Sequence, residues 1–388
     1  MVGGCGHVGL PLAITFASAG LSTVIYDINE KSVSRVARGR MPFLERGAEP
    51  KLKQTLKNKK LLVSNDPQVI SESENIIIII GTPIDEFLNP RLQDIHRTLK
   101  ELQRYLRAGQ TIILRSTIYP GTTRLVKNLV KNKNIKVAFA PERVAQGYAI
   151  LELKTLPQIV SGVDRDSELA AEKLFKKIAK DVIVLSPEEA ELAKLMTNAW
   201  RYIQFAVANQ FFTIAEGRGL DFYKIFHAIK HKYPRTADFP SPGFAAGPCL
   251  FKDTMQIAAF AENSFFLGHA AMLVNEGLPN FIIKKLKEKY DLGKKTVGIL
   301  GMAFKGNSDD RRDSLSYKLK KALEVEAQAV LCTDVYLREP GFDDLRTVIG
   351  KSDILILGAP HKEYRNLKFR KGSRVVDIWN FYGKGADL

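Results

Sequence analysis

Short, mostly apolar runs separated by amphipathic segments fill the first 140 residues. The runs at 23–26, 61–63, 76–80, 111–114 and 137–140 are strand length and carry few polar positions. Strands that are apolar on both faces belong in a parallel sheet covered on both sides. Helical spacing lies between them, as at 92–106. The pattern predicts a parallel sheet wound with helices on both faces.

The middle of the chain reads differently. Ser186-Pro187-Glu188-Glu189 supplies a capping Ser, a first-turn Pro and acids at the positive helix end. The helical pattern then runs to Gly217, a length that spans domains or builds a dimer interface. The segment 233–248 holds four prolines and is predicted to be a loop. A second helical stretch covers 250–289. From Lys295 the strand–helix alternation returns, with strands expected at 296–300, 329–332, 354–357 and 375–378.

Composition narrows the class. A chain of 388 residues is too long for one ordinary core. With 45% hydrophobic and 26% charged residues it is neither disordered nor collagen-like. The net charge of +16 allows nucleic acid, anionic lipid or phosphorylated small molecules as partners. The cations are dispersed, however, and the densest cluster, 284–289, includes Glu288 and reads as the wet face of a helix. No nucleic-acid motif or metal-ligand cluster stands out, so neither nucleic acid nor metal is expected. Three cysteines give no disulfide framework, which favours a reducing cytoplasm. The uncharged stretch 8–26 imitates a signal peptide, but it contains Gly9, Pro11 and Gly20, lacks a basic leader, and reads as a helix followed by a strand. No membrane span is expected.

Gly4-Cys5-Gly6-His7-Val8-Gly9 fits the dinucleotide fingerprint G-x-G-x-x-G. The first glycine permits a tight turn, the second lets backbone approach a pyrophosphate, and the third lets helix pack on strand. The free amides of the following helix face the phosphates. Asp27 ends the next strand, eighteen residues past Gly9, where a carboxylate holds ribose hydroxyls and repels a 2′-phosphate. That favours NAD over NADP; the bland alternative is an exposed turn acid before Asn29. Only residues 1–3 precede Gly4, so either the first strand is very short or the start lies inside it; the expectation is a truncated start, which would impair cofactor binding. The fold expected is α/β, with two Rossmann-like doubly wound domains (1–180 and 291–388) joined by a central helical dimerisation region (181–290).

Gly247-Pro248-Cys249-Leu250-Phe251-Lys252-Asp253 places a thiol at the start of a helix. The helix's positive end and Lys252 favour a thiolate there, although a lone Cys is more often inert packing. With six other segments this one resembles the UDP-glucose/GDP-mannose dehydrogenase family, NAD-dependent nucleotide-sugar 6-dehydrogenases. Those segments are Gly4 to Ala13, Gly81-Thr82-Pro83, Ser116 to Thr123, Pro141-Glu142-Arg143, Glu191 to Ala199 and Gly301 to Ser314, in the family's order across nearly the whole chain.

The resemblance implies oxidation of a sugar's C6 alcohol to a carboxylate, a four-electron change using two NAD. An aldehyde becomes a hydride donor again only once a nucleophile adds to it, which is the chemical reason for a catalytic thiol. The resemblance makes Cys249 that nucleophile. It makes Lys194 and Asn198, which share a helix face, the groups that steady the oxygen gaining charge. Asp253 would orient water or tune Lys194, Glu142 would help water cleave the thioester, and Thr117 would hold water or the nicotinamide side. Gly4, Gly6, His7, Val8, Gly9, Asp27, Thr82, Thr117, Lys252 and Arg312 are the implied cofactor residues. Glu142, Arg143, Val144, Lys194, Asn198, Arg235, Gly243 and Lys305 are the implied substrate residues, with Arg235 reaching the diphosphate of a neighbouring subunit's substrate. Each is also readable as an ordinary turn, surface or capping residue.

The stretch 141–147 (PERVAQG) resembles members acting on UDP-N-acetylhexosamines, notably UDP-N-acetylmannosamine. UDP-glucose members often carry a second acid where Gln146 stands. UDP-glucose remains the alternative substrate. Further alternatives are a two-electron hydroxyacid dehydrogenase, which needs neither Cys249 nor the second α/β unit, and an NAD-binding protein without activity. A homodimer or higher homo-oligomer is expected from the apolar 187–217 helix.

Overall fold

A computed structural model describes residues 1–388 except 82–84, 86–90, 92, 131–133 and 246. The chain forms two compact units, 1–197 and 198–388.

In the first unit the strands are β1 (Thr23–Tyr26), β2 (Leu61–Ser64), β3 (Asn75–Ile78), β4 (Thr111–Leu114), β5 (Lys136–Phe139), β6 (Gln158–Gly162) and β7 (Val182–Val184). The helices are α1 (Gly9–Ser18), α2 (Glu30–Ala37), α3 (Ala48–Lys57), α4 (Gln93–Leu102), α5 (Thr122–Leu129), α6 (Ala149–Thr155) and α7 (Arg165–Phe175). β2 pairs with β1, and β3, β4 and β5 follow one another, all in parallel. Val2 joins the two sets by bridging Tyr26 on one side and Ile78 on the other. The Val2 amide donates to Ile77 O (2.8 Å), and the Ile79 amide donates to Val2 O (2.9 Å). Val2 therefore lies between β1 and β3, at the centre of the sheet.

Alternate residues of the isoleucine-rich strands pack on opposite faces, as the two-sided burial required. Ile77, Ile113 and Ala138 meet Leu12 and Phe16 of α1, whereas Ile76, Ile78, Ile112 and Leu114 meet Ile95 and Leu99 of α4 and Val126 of α5.

The sheet is not wholly parallel. β5 and β6 run antiparallel, with Ala138 opposite Gly162, and β7 follows β6 in parallel. The connection after β5 passes through the 141–148 loop and the short α6, which packs on α1 instead of carrying the chain back to the starting edge. The pattern at 92–106 also divides: α4 ends at Leu102, and one turn of 3₁₀ helix covers Gln103–Tyr105.

Helix α8 (Pro187–Gly217) starts with a reciprocal capping box. The Ser186 amide and hydroxyl both donate to Glu189 Oε2 (2.9 and 2.6 Å).

The second unit adds α9 (Phe222–Lys230), α10 (Leu250–Phe260), α11 (Phe266–Lys289), α12 (Leu315–Glu326) and α13 (Leu345–Lys351). The predicted helical stretch 250–289 breaks between α10 and α11, where Glu262 and Asn263 have positive φ. Strands β8 (Thr296–Leu300), β9 (Ala329–Thr333), β10 (Ile354–Leu357) and β11 (Arg374–Val376) form a parallel sheet in the order β11-β10-β8-β9. Its core joins Val297, Ile299 and Ile356 to Leu319 and Leu323 of α12, Leu278 and Ile282 of α11, and Phe222 of α9. Among the described residues no helix is long and apolar enough to cross a membrane.

Candidate active site

In the first unit, the turn after the central strand position is built by its glycines. A Cβ on Gly9 would lie 2.7 Å from Gly4 Cα, so helix and turn touch only because both lack side chains. A Cβ on Gly3, at φ +70°, would lie 2.1 Å from Ile79 O. Gly6 is exposed, and a Cβ there would meet nothing nearer than 4.0 Å, so its open face admits a ligand's approach. Asp27, half-buried at the end of β1, accepts from the Cys5 amide through Oδ2 (3.0 Å) and from the Asn29 amide through Oδ1 (3.0 Å). That fixes a carboxylate beside the turn with lone pairs still available, and these residues fit the ribose and pyrophosphate of a dinucleotide. The Cys5 thiol is buried, and burial, followed by the Asp27 charge, pushes its pKa up to about 12. Cys5 is therefore packing. Thr82 lies outside the described residues.

Glu142, just past β5, is almost fully buried and held on three sides. Its Oε1 accepts from the amides of Arg143 (2.8 Å) and Val144 (3.0 Å), and its Oε2 accepts from Arg115 (2.6 Å). Arg115 is fully buried; it also donates to Ala140 O and Gln158 Oε1 and lies over the Phe175 ring. The Arg143 side chain donates to Pro157 O, and burial, then the charge of Arg115, lowers its pKa. Ser116 ties the ends of β3 and β4 by accepting from the Ile80 amide and donating to Ile80 O, which sets half-buried Thr117 at the strand end. Gln146 donates to Nδ1 of His7 (3.1 Å), whose ring stacks on Phe43 at 4.0 Å. The glycine-rich turn and the 141–147 loop are thus in direct contact.

Helix α8 buries Lys194, and Glu191 one turn earlier caps the start of α5. Glu191 accepts from the amides of Gly121 (2.6 Å) and Thr123 (2.8 Å) and from the Thr123 hydroxyl (2.6 Å). Burial raises its pKa despite these bonds.

In the second unit, Cys249 is exposed at the N-cap of α10, whereas Cys332 is buried. Gly247, at φ +103°, lets the loop turn toward the helix; a Cβ there would lie 2.5 Å from the Phe304 ring. Asp253, one turn into α10, is fully buried. One of its oxygens accepts from Asn198 Nδ2 (2.6 Å) and the other from Lys252 Nζ (2.7 Å). Lys252 therefore pairs with Asp253 and fixes, with Asn198, a buried carboxylate behind the thiol.

The Gly247 amide donates to Asp313 O (3.3 Å), so the 309–313 loop runs beside the thiol segment. Arg312 grips Asp310 with two nitrogens, Nε at 3.0 Å and a terminal nitrogen at 2.6 Å. Those hydrogen bonds raise its pKa, and the charges of Asp310 and Cys249 act in the same direction.

Gly243 is pinned by Asn209, which donates to its carbonyl (3.0 Å) and accepts from its amide (2.8 Å). A Cβ on Gly243 would lie 2.2 Å from the Trp379 ring. Lys305 sits beside the Phe304 ring on the loop after β8. Arg235 is exposed, stacked on the Tyr233 ring.

The sequence reading missed Arg115, Glu191 and Asn209. Arg115 carried one signal, a cation ending an apolar strand just before Ser116-Thr117. Asn209 carried another, since it falls on the buried stripe of α8 with Asn198 and Tyr202.

Residues 1–179 match the NAD binding domain of the UDP-glucose/GDP-mannose dehydrogenase family, 188–276 its central domain and 298–384 its UDP binding domain. A UDP-N-acetyl-D-mannosamine dehydrogenase of Methanocaldococcus jannaschii is 32% identical over 94% of this chain and 86% of its own. One of Pyrococcus horikoshii is 31% identical over 94% and 90%. A solved structure of the Pyrococcus horikoshii UDP-D-ManNAc dehydrogenase superposes with a TM-score of 0.87 at 30% identity, covering 95% of this chain and 90% of that one. The chain belongs to the UDP-glucose/GDP-mannose dehydrogenase family and is an NAD-dependent nucleotide-sugar 6-dehydrogenase.

Proposed function

We propose that the protein oxidises the C6 alcohol of a UDP-N-acetylhexosamine, UDP-N-acetylmannosamine first among them, to the uronate through a thioester on Cys249. The observation that carries this is the exposed thiol at a helix N-cap, backed by the buried Asp253–Asn198–Lys252 cluster. NAD, when bound, supplies the hydride acceptor, two equivalents per sugar.

The rest falls to the chain's own residues. The Cys249 sulfur adds to the C6 aldehyde carbon, forming a C–S bond, and the carbonyl oxygen takes the negative charge or a proton. Asn198 is held by Asp253, and Lys194 lies one turn before it on α8; both serve that oxygen. Loss of the second hydride leaves a thioester. Water cleaves it, returning the thiol and releasing the acid. Glu142, fixed by Arg115 and two amides, serves as the acceptor that orients this water. The Gln146–His7 contact supports an N-acetylhexosamine over glucose, because it replaces an acid that UDP-glucose members often have there.

NADH formation with UDP-N-acetylmannosamine, UDP-N-acetylglucosamine, UDP-glucose and GDP-mannose tests the reading. Two NADH per UDP-N-acetylhexosamine are expected. One NADH per sugar, or turnover of UDP-glucose alone, would overturn it.

We also propose a homodimer. Trp200, Val207, Phe211 and Ile214 recur at helical spacing along α8 and are all exposed, Trp200 at 60%. Light scattering that found only monomer at micromolar concentration would contradict this.

A further inference from the structure

The loop that carries Lys305 is fastened at both ends by one buried pair, Asp334 and His361, each wholly shielded from solvent. Asp334 follows β9. Its Oδ2 accepts from the amides of Met302 (2.7 Å) and Ala303 (3.0 Å), the entry to the loop. Its Oδ1 accepts from the amides of Tyr336 (2.7 Å) and Leu337 (3.0 Å). His361 Nε2 lies 3.0 Å from the same Oδ2.

The exit of the loop closes on the other side of the imidazole. The Asn307 amide donates to His361 Nδ1 (2.9 Å), and Asn307 Oδ1 accepts from the Lys362 amide (2.9 Å). Asn307 sits at φ +57°, a left-handed conformation that these two bonds hold in place. An amide donates only, so Nδ1 carries a lone pair and the ring proton is on Nε2, directed at Asp334. The Tyr336 and Tyr364 rings meet the imidazole edge-on at 5.0 and 5.4 Å and fix its plane. Residues 302–303 and 307 thus hang on one Asp–His unit, with Lys305 between them.

We propose that His361 and Asp334 form a latch that positions Lys305 for the diphosphate of the UDP-sugar. Neither residue touches the reacting atoms; both act through the lysine. The proposal rests on the reading of Lys305 as a substrate contact.

A double-mutant cycle on UDP binding to the full chain, measured by calorimetry, tests it. His361→Ala is expected to weaken UDP binding roughly tenfold, and Lys305→Met roughly 10- to 100-fold. The double variant should bind no worse than Lys305→Met alone, because a misplaced lysine and an absent one are equivalent. His361→Gln retains a donor toward Asp334 and His361→Asn an acceptor toward Asn307; each should recover part of the affinity, and both carry the test should His361→Ala fail to fold. NAD binding should be unchanged in every variant.

Effects of His361 and Lys305 that multiply, or a His361→Ala variant that binds UDP like the parent, would overturn the latch while leaving the enzymatic reading intact. A parent chain that neither binds UDP nor yields NADH with any UDP-sugar would remove the reading and the latch together.

Discussion

Asp27 and Asp334 occupy the same place in the parallel parts of two sheets. Each follows the strand that neighbours the central one, and each faces the turn that leaves the central strand. Their surroundings differ. Asp27 is half-exposed and accepts two amide hydrogen bonds, one per oxygen. Asp334 is buried under four amides and His361; burial alone would raise its pKa, yet the hydrogen bond from His361, with those from the amides, holds it below the ordinary carboxylate value. One carboxylate keeps capacity for a ligand's hydroxyls, and the other is committed to the protein. A shared topological position therefore does not give a shared role; the number of internal donors decides it.

The comparison can be broken by substituting each acid. The larger loss of stability is expected at Asp334→Ala, which leaves four amides and a buried imidazole N–H without their acceptor. It should cost about 3–5 kcal/mol of stability, seen as an early thermal transition. Asp27→Ala should barely move that transition. It should instead weaken NAD roughly 10- to 100-fold, the size of one or two hydrogen bonds to a charged acceptor, and reduce discrimination against NADP. Equal stability losses at the two positions, or an NAD affinity indifferent to Asp27, would erase the distinction.

Much of this was legible in the sequence. The apolar runs located β1, β4, β8 and β10, and the Ser-Pro-Glu-Glu start located α8, because in each the local pattern and the final packing agree. The reversal at β6 was not legible, since strand direction depends on where α6 docks and not on the composition of either strand. Arg115 escaped because a cation is the side chain least expected at full burial, and only the fold reveals the carboxylate and carbonyls that receive it. Asp334 and His361 stand 27 residues apart, and each reads alone as a loop residue. The segment around Cys249 was legible as motif, but the commitment of Lys252 to Asp253 was not, because adjacent residues on a helix rarely pair.

The central claim is covalent catalysis by Cys249, and the most direct measurement is the NADH and acid formed per sugar by the parent and by Cys249→Ala. The account predicts two NADH and one uronate for the parent. For the variant it predicts intact NAD binding with acid formation reduced at least ~10³-fold. A Cys249→Ala enzyme that still makes two NADH and the acid at the parent's rate would contradict it.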